Sequence, residues 1–130
     1  MNFYFMTVSK VQELFKQEHN NWLKKLELLQ MEIVFLKNHV GQIVQKEVDI
    51  ETLEKLEIFQ TNFLNKDMII ALLRRDIKAQ GDLLLDRKAF ENEVSSNLIY
   101  KKQDILRSDI GKLELELIKI KTEFKKLQLL

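Results

Sequence analysis

The sequence predicts an all-α protein: an antiparallel three-helix bundle of long helices with coiled-coil-like packing. Three observations carry that expectation. Trp22, Leu26, Leu29, Ile33, Leu36, Val40 and Ile43 follow one another at 4-3-4-3-4-3 spacing, and all are apolar. Leu106, Ile110, Leu113, Leu117, Ile120, Phe124 and Leu127 repeat the pattern. In a chain that is 45% apolar, seven such residues in a fixed register arise by chance about 0.4% of the time. Spacing of this kind lays one apolar seam along one side of a helix, as in coiled coils and helical bundles. Third, the 130 residues include no Pro and three Gly. Multi-stranded folds need many tight turns, which those residues supply. Few turns mean few, long elements, and the length suits one domain spanning 1–130.

The elements follow in order. Residues 1–8 form an N-terminal segment carrying Phe3, Tyr4 and Phe5. The segment is expected to dock on the bundle or to be disordered; the alternatives are an anchor for a partner or contact with a membrane surface. Helix 1 spans about 9–45. Ser9 with Gln12 reads as a capping box at its start. Its seam, continued backwards from Trp22, reaches His19 and then Phe15. The turn to helix 2 falls near Gln45–Val48 and is short, which sets the two helices antiparallel.

Helix 2 spans about 49–94. Asp49 can cap it, with Val48 stapled to Leu53. Its seam is Leu56, Phe59, Phe63, Lys66, Ile70, Leu73 and Ile77, broken once by Lys66. Leu53, Leu64, Ile69 and Leu72 widen the apolar face, as in a globular bundle. Beyond Ile77 the seam decays at Gln80 and Arg87. Helix 3 spans about 97–128, with Ser95 as its cap and Val94 and Ile99 as its staple. Its seam decays backwards at Ser96 and Asn92. A rival turn lies at Gly81–Asp82, read as a C′ glycine followed by an N-cap. The preferred break is near 94–98, with Gly81 a weak point inside helix 2.

Two short motifs stand on this background: "EHNNWL" at 18–23 and "RRDIK" at 74–78. They resemble small, uncharacterised, all-helical bacterial proteins with a His-x-x-Trp-Leu opening and an Asp-Ile-Lys motif. The resemblance implies a helical bundle and favours the later turn. It implies no activity.

Composition narrows the function. There is no Cys, hence no disulfide, thiolate site or cysteine nucleophile, and a reducing compartment fits; the expected location is cytoplasmic. The longest apolar run, 68–73, is far short of a membrane span, and "MNFYFM" has no signal-peptide pattern. Residues 1–65 carry 7 Lys/Arg and 9 Asp/Glu, net −2, and residues 66–130 carry 14 and 11, net +3. Neither half has the basic excess of a nucleic-acid binder.

Candidate residues are few. His19 sits on the seam beside Trp22. Its neighbours at three and four residues are Phe15, Lys16, Trp22 and Leu23, none a metal ligand. The Glu-x-x-His signature of di-iron bundles is absent. A polar seam residue that fixes register is therefore the expected role. The alternatives are a metal or enzymatic site using His19 with carboxylates of neighbouring helices, and a proton-linked switch. Glu47, Glu51, Glu54 and Glu57 read as a solvated helix face. Lys112, Lys119 and Lys126, with Glu116 and Glu123, read as a salt-bridged one. Leu28, Met31 and Phe35 lie at i, i+3, i+7, roughly opposite the seam at about 100° per residue. Apolar residues there mark an interface if exposed. The expected function is a structural or protein–protein interaction bundle that self-associates as a homodimer, with no catalysis and no cofactor. A membrane-surface protein using Phe3, Tyr4 and Phe5 is the other alternative.

Overall fold

A computed structural model describes residues 7–46 and 48–129, with side chains to residue 127. Among these residues the protein is an all-helical bundle of four helices: α1 (Val8–Val44), α2 (Ile50–Leu84), α3 (Arg87–Glu91) and α4 (Glu93–Leu129). The N-terminal aromatic residues Phe3, Tyr4 and Phe5, and Glu47, lie outside the described residues.

The seams determine what is buried. On α1, Val11, Phe15, His19, Trp22, Leu26, Leu29, Ile33, Leu36 and Val40 turn inward. On α2 the inward set is Leu56, Phe63, Ile70, Leu73, Ile77, Gln80 and Leu84. Ile99, Gln103, Leu106, Ile110, Leu113, Leu117, Ile120 and Phe124 complete the interior from α4. The larger cluster runs from Trp22, Ile77 and Leu106 to Val40, Leu56 and Phe124. Its far end is aromatic: Phe124 meets Phe59 edge-on at 5.3 Å and His39 at 5.8 Å. A smaller cluster at the other end joins Val11, Phe15, Leu84, Phe90 and Ile99. Tyr100 abuts it, edge-on to Phe15 at 5.8 Å.

The helix ends differ from the sequence expectation at three places. Thr7, not Ser9, caps α1: it is extended, and its hydroxyl accepts from the Lys10 N–H at 3.2 Å. Both residues are competent caps; Thr7 holds the position because the helix already runs through Ser9. Next, α2 ends at Leu84, short of 94 and beyond 81. Gly81 lies within the helix, and no described glycine has a positive φ. The chain reverses through the single turn α3, capped by Asp86, whose carboxylate accepts from Lys88 N–H at 3.0 Å and Ala89 N–H at 3.3 Å. Finally, α4 starts at Glu93, and Ser95 is not its cap. Asn92 is: its side-chain oxygen accepts from Ser95 N–H at 3.0 Å. The stretch that carries no seam is thus a corner rather than helix, and Phe90 anchors it by burying its ring. Asp49 does cap α2, accepting from Thr52 N–H at 2.8 Å.

Two further expectations change. Lys66 does not break the seam. Its side chain is largely buried and reaches the Glu116 carboxylate at 2.5 Å, so its stem packs while its charge is met. Glu116 therefore crosses to α2, and no ion pair among the described residues links it or Glu123 to Lys112, Lys119 or Lys126. The widened face of α2 is not buried either: Leu64 and Leu72 are exposed, and Leu53 and Ile69 are half-buried.

Candidate functional site

Between the two apolar clusters lies one polar layer, with one residue from each long helix. His19 comes from α1, Gln80 from α2 and Gln103 from α4, and all three are buried. A buried amide or imidazole is tolerated when its polar atoms find partners. Here they largely do. Gln80 Nε2 donates to the Ile99 carbonyl at 2.8 Å and to Gln103 Oε1 at 3.3 Å. Gln103 Nε2 donates to Glu18 at 3.1 Å. Glu18 is gripped by the Arg107 guanidinium at 2.6 and 2.8 Å, and Arg107 also meets Asp104 at 2.6 Å. Gln80 Oε1 is buried with no partner.

This chain fixes the histidine tautomer. Gln103 spends its NH2 group on the acid, so its Oε1 must accept. The 2.8 Å contact with His19 Nε2 is then a donation from the ring. In the neutral ring Nδ1 is left with its lone pair. Burial pushes the His19 pKa below 6.5, against the opposing pull of Gln103 and the Glu18 charge. Burial also raises the Glu18 carboxyl, but the bonds from Arg107 and Gln103 outweigh it and hold the group below 4.5.

His19 Nδ1 has no hydrogen-bond partner among the described residues. It faces Gly81: a Cβ built there would stand 3.8 Å from Nδ1, its nearest neighbour. The ring lines a groove of about 960 Å³ between α1 and α2. Trp22 stacks against the ring at 5.3 Å, tilted by 31°. His19 and Trp22 are thus both interior, and the imidazole has one edge in the core network and the other toward a groove.

As for a metal site, the neighbours of His19 in this layer are amides. Among the described residues no three His, Cys, Asp or Glu side chains converge on a position that could hold an ion. Glu51 pairs with Lys55 at 3.5 Å on the exposed face of α2. No described helix is long and apolar enough to cross a membrane.

The second candidate is the outer face of α1. Leu28, Met31 and Phe35 are 66%, 62% and 65% exposed. Phe35 also borders a groove shared with Lys121, Phe124 and Lys125 of α4. Sequence reasoning placed Leu28, Met31 and Phe35 and assigned Leu64 to a wider face of α2, but missed Met68 on α2 and Leu115 and Ile118 on α4; all four are more than half exposed. It also missed Gln103, whose register position three before Leu106 was a usable signal.

No protein-family model, curated protein or solved structure matches the chain.

Proposed function

We propose that the protein is a structural or protein–protein interaction module that self-associates as a homodimer through the outer face of α1. The exposure of Leu28, Met31 and Phe35 carries this reading. Three large apolar side chains on one helix face gain about 1.5–3 kcal/mol each when buried, before the cost of association. A second copy presents the same residues, so one two-fold contact covers both sets. The architecture assigned with it is an antiparallel bundle of three long helices with coiled-coil-like seams. Residue pairings support that arrangement. Along α1 from Gln12 to Lys37, the partners on α2 fall from Leu84 to Asp67. Those on α4 rise, from Arg107 for Glu18 to Glu114 for Lys25 and Lys121 for Glu32. The lack of cysteine and the resemblance of "EHNNWL" and "RRDIK" to bacterial helical proteins support a cytoplasmic, bacterial setting.

Sedimentation of the wild type and of the Met31→Glu, Phe35→Lys double variant tests the reading. The expected result is a wild-type dimer and a monomeric variant with unchanged helicity, because charges cost little on a solvated face and a great deal in an interface. A monomeric wild type at working concentration refutes self-association.

A further inference from the structure

We propose that the α1–α2 groove binds a small amphipathic organic anion, whose acid group meets His19 Nδ1 and the Lys16 and Lys78 ammoniums. Its apolar body lies against Leu23, Ile77, Leu84 and Leu85. This site shares no residue with the outer face of α1 and stands or falls separately from self-association.

Three observations support it. The first is the imidazole. His19 is 5% exposed, its Nε2 is committed to Gln103, and its Nδ1 is unpartnered at the groove. Nδ1 is not among the wholly enclosed atoms that lack a partner, which are Asp67 Oδ1 and Gln80 Oε1. Gly81 keeps the approach open: a Cβ there would stand 3.8 Å from Nδ1, so a long side chain would place its further atoms over the nitrogen. The second is charge. Lys16, Arg74 and Lys78 line the groove, and none forms an ion pair among the described residues. Arg87 and Glu13 line it too, each paired with a residue outside the lining: Arg87 with Glu91 at 3.1 Å and Glu13 with Lys10 at 3.9 Å. Across the lining four cations, Lys16, Arg74, Lys78 and Arg87, face two carboxylates, Glu13 and Asp82, so the groove attracts an anion. The third is size and lining. About 960 Å³ suits a drug-sized ligand, with apolar walls and a few convergent polar groups. A docked helix would need a far larger contact, of about 800 Å² per partner.

Binding an anion at Nδ1 favours the imidazolium, which donates from both nitrogens. The charged groups of the groove and of the network behind the ring are Glu13, Lys16 and Glu18 from α1, Arg74, Lys78 and Asp82 from α2, Arg87 from α3 and Arg107 from α4. Of these, Glu18 already bonds to Gln103 and Arg107 on the far side of the ring, so the added anion acts from the groove side.

The test uses the full chain with dodecanoate as probe, and dodecanol and dodecyltrimethylammonium as controls, all below micelle concentration. His19 and His39 are the two histidines, so their ring proton signals titrate separately by NMR, and His39 serves as internal reference. The sole tryptophan, Trp22, gives a fluorescence signal beside the His19 ring. Dodecanoate is expected to saturate at one equivalent, shift Trp22 emission and raise the His19 titration midpoint without moving His39. Both controls should bind at least about tenfold more weakly, as expected when a charged hydrogen bond is lost. Lys16→Gln with Lys78→Gln, both exposed positions, should weaken dodecanoate about tenfold with the fold intact by circular dichroism. Gly81→Leu should abolish the His19 response. Equal binding of dodecanol overturns the anion site. So does unchanged affinity in the lysine variant, a His19 midpoint that stays put, or no binding by any probe. Capture of an acidic helical peptide in preference to dodecanoate would overturn the small-ligand assignment.

Discussion

Replacing Gly81 with Ala measures the most finely balanced position in the bundle. Gly81 sits in the last turn of α2 with ordinary helical φ. In a helix interior Ala is better than Gly by about 0.8–1 kcal/mol, because Gly loses more backbone freedom on folding. Near a helix end the gain falls to about half of that. The new methyl would stand 3.8 Å from His19 Nδ1, an ordinary van der Waals contact that needs no repacking. Against this, it partly shields an acceptor that otherwise meets water. Complete loss of hydration there would cost about 1–3 kcal/mol, but a single methyl at the edge of a wide groove removes a small part of it. The net expectation is stabilisation by about 0.5 kcal/mol. Gly111, in the interior of α4 with nothing within 4 Å of a built Cβ, is the control. Its replacement should gain about 1 kcal/mol. With a urea slope of about 2 kcal/mol per molar, the midpoints rise by about 0.25 M and 0.5 M. Melts at two protein concentrations separate folding from self-association. If Gly81→Ala lowers the midpoint while Gly111→Ala raises it, either the backbone at 81 is not plain helix or hydration of Nδ1 outweighs the helix gain.

Three more outcomes follow from the same contacts. His19 has a depressed pKa, so below pH 6.5 the unfolded chain binds the extra proton and stability falls, levelling off once the folded ring is protonated; Glu18 adds a second loss in the same direction below pH 4.5. His19→Leu should match the wild type at pH 8, since Gln103 Oε1 keeps its bond from Gln80, and should lack the upper step in urea melts run across pH. Thr7→Ala should cost about 1 kcal/mol by thermal melting, while Ser9→Ala leaves stability within about 0.5 kcal/mol, since only Thr7 caps α1. Glu116→Ala should destabilise by about 1–2 kcal/mol because it strands the largely buried Lys66, whereas Lys66→Met should be neutral or stabilising by chemical denaturation.

The long helices were legible because periodicity is local. Every residue from Trp22 to Val40 and from Leu106 to Phe124 that fell on the 3.5-residue seam is buried. The placement of each depends on its own helix and on its preference for leaving water. His19 could be set on the seam by the same rule. Gln80 could not, since a glutamine in register reads equally well as the seam's end. Its burial depends on a carbonyl at Ile99 and an amide at Gln103, on another helix. The bond that fixes the His19 tautomer joins residues 84 apart in sequence. Likewise Lys66 looked like a break until Glu116, 50 residues on, supplied its charge partner. The corner at 85–92 was hidden for a related reason. Asp86, Asn92 and Ser95 are all competent caps, and the choice among them follows from where Phe90 finds a pocket beside Tyr100, at 6.3 Å between rings. Sequence alone determined which faces turn inward, because hydrophobic burial is non-directional and needs only a face. Tertiary structure decided which polar groups go in with them, because a hydrogen bond is directional and a buried one needs a particular partner in place.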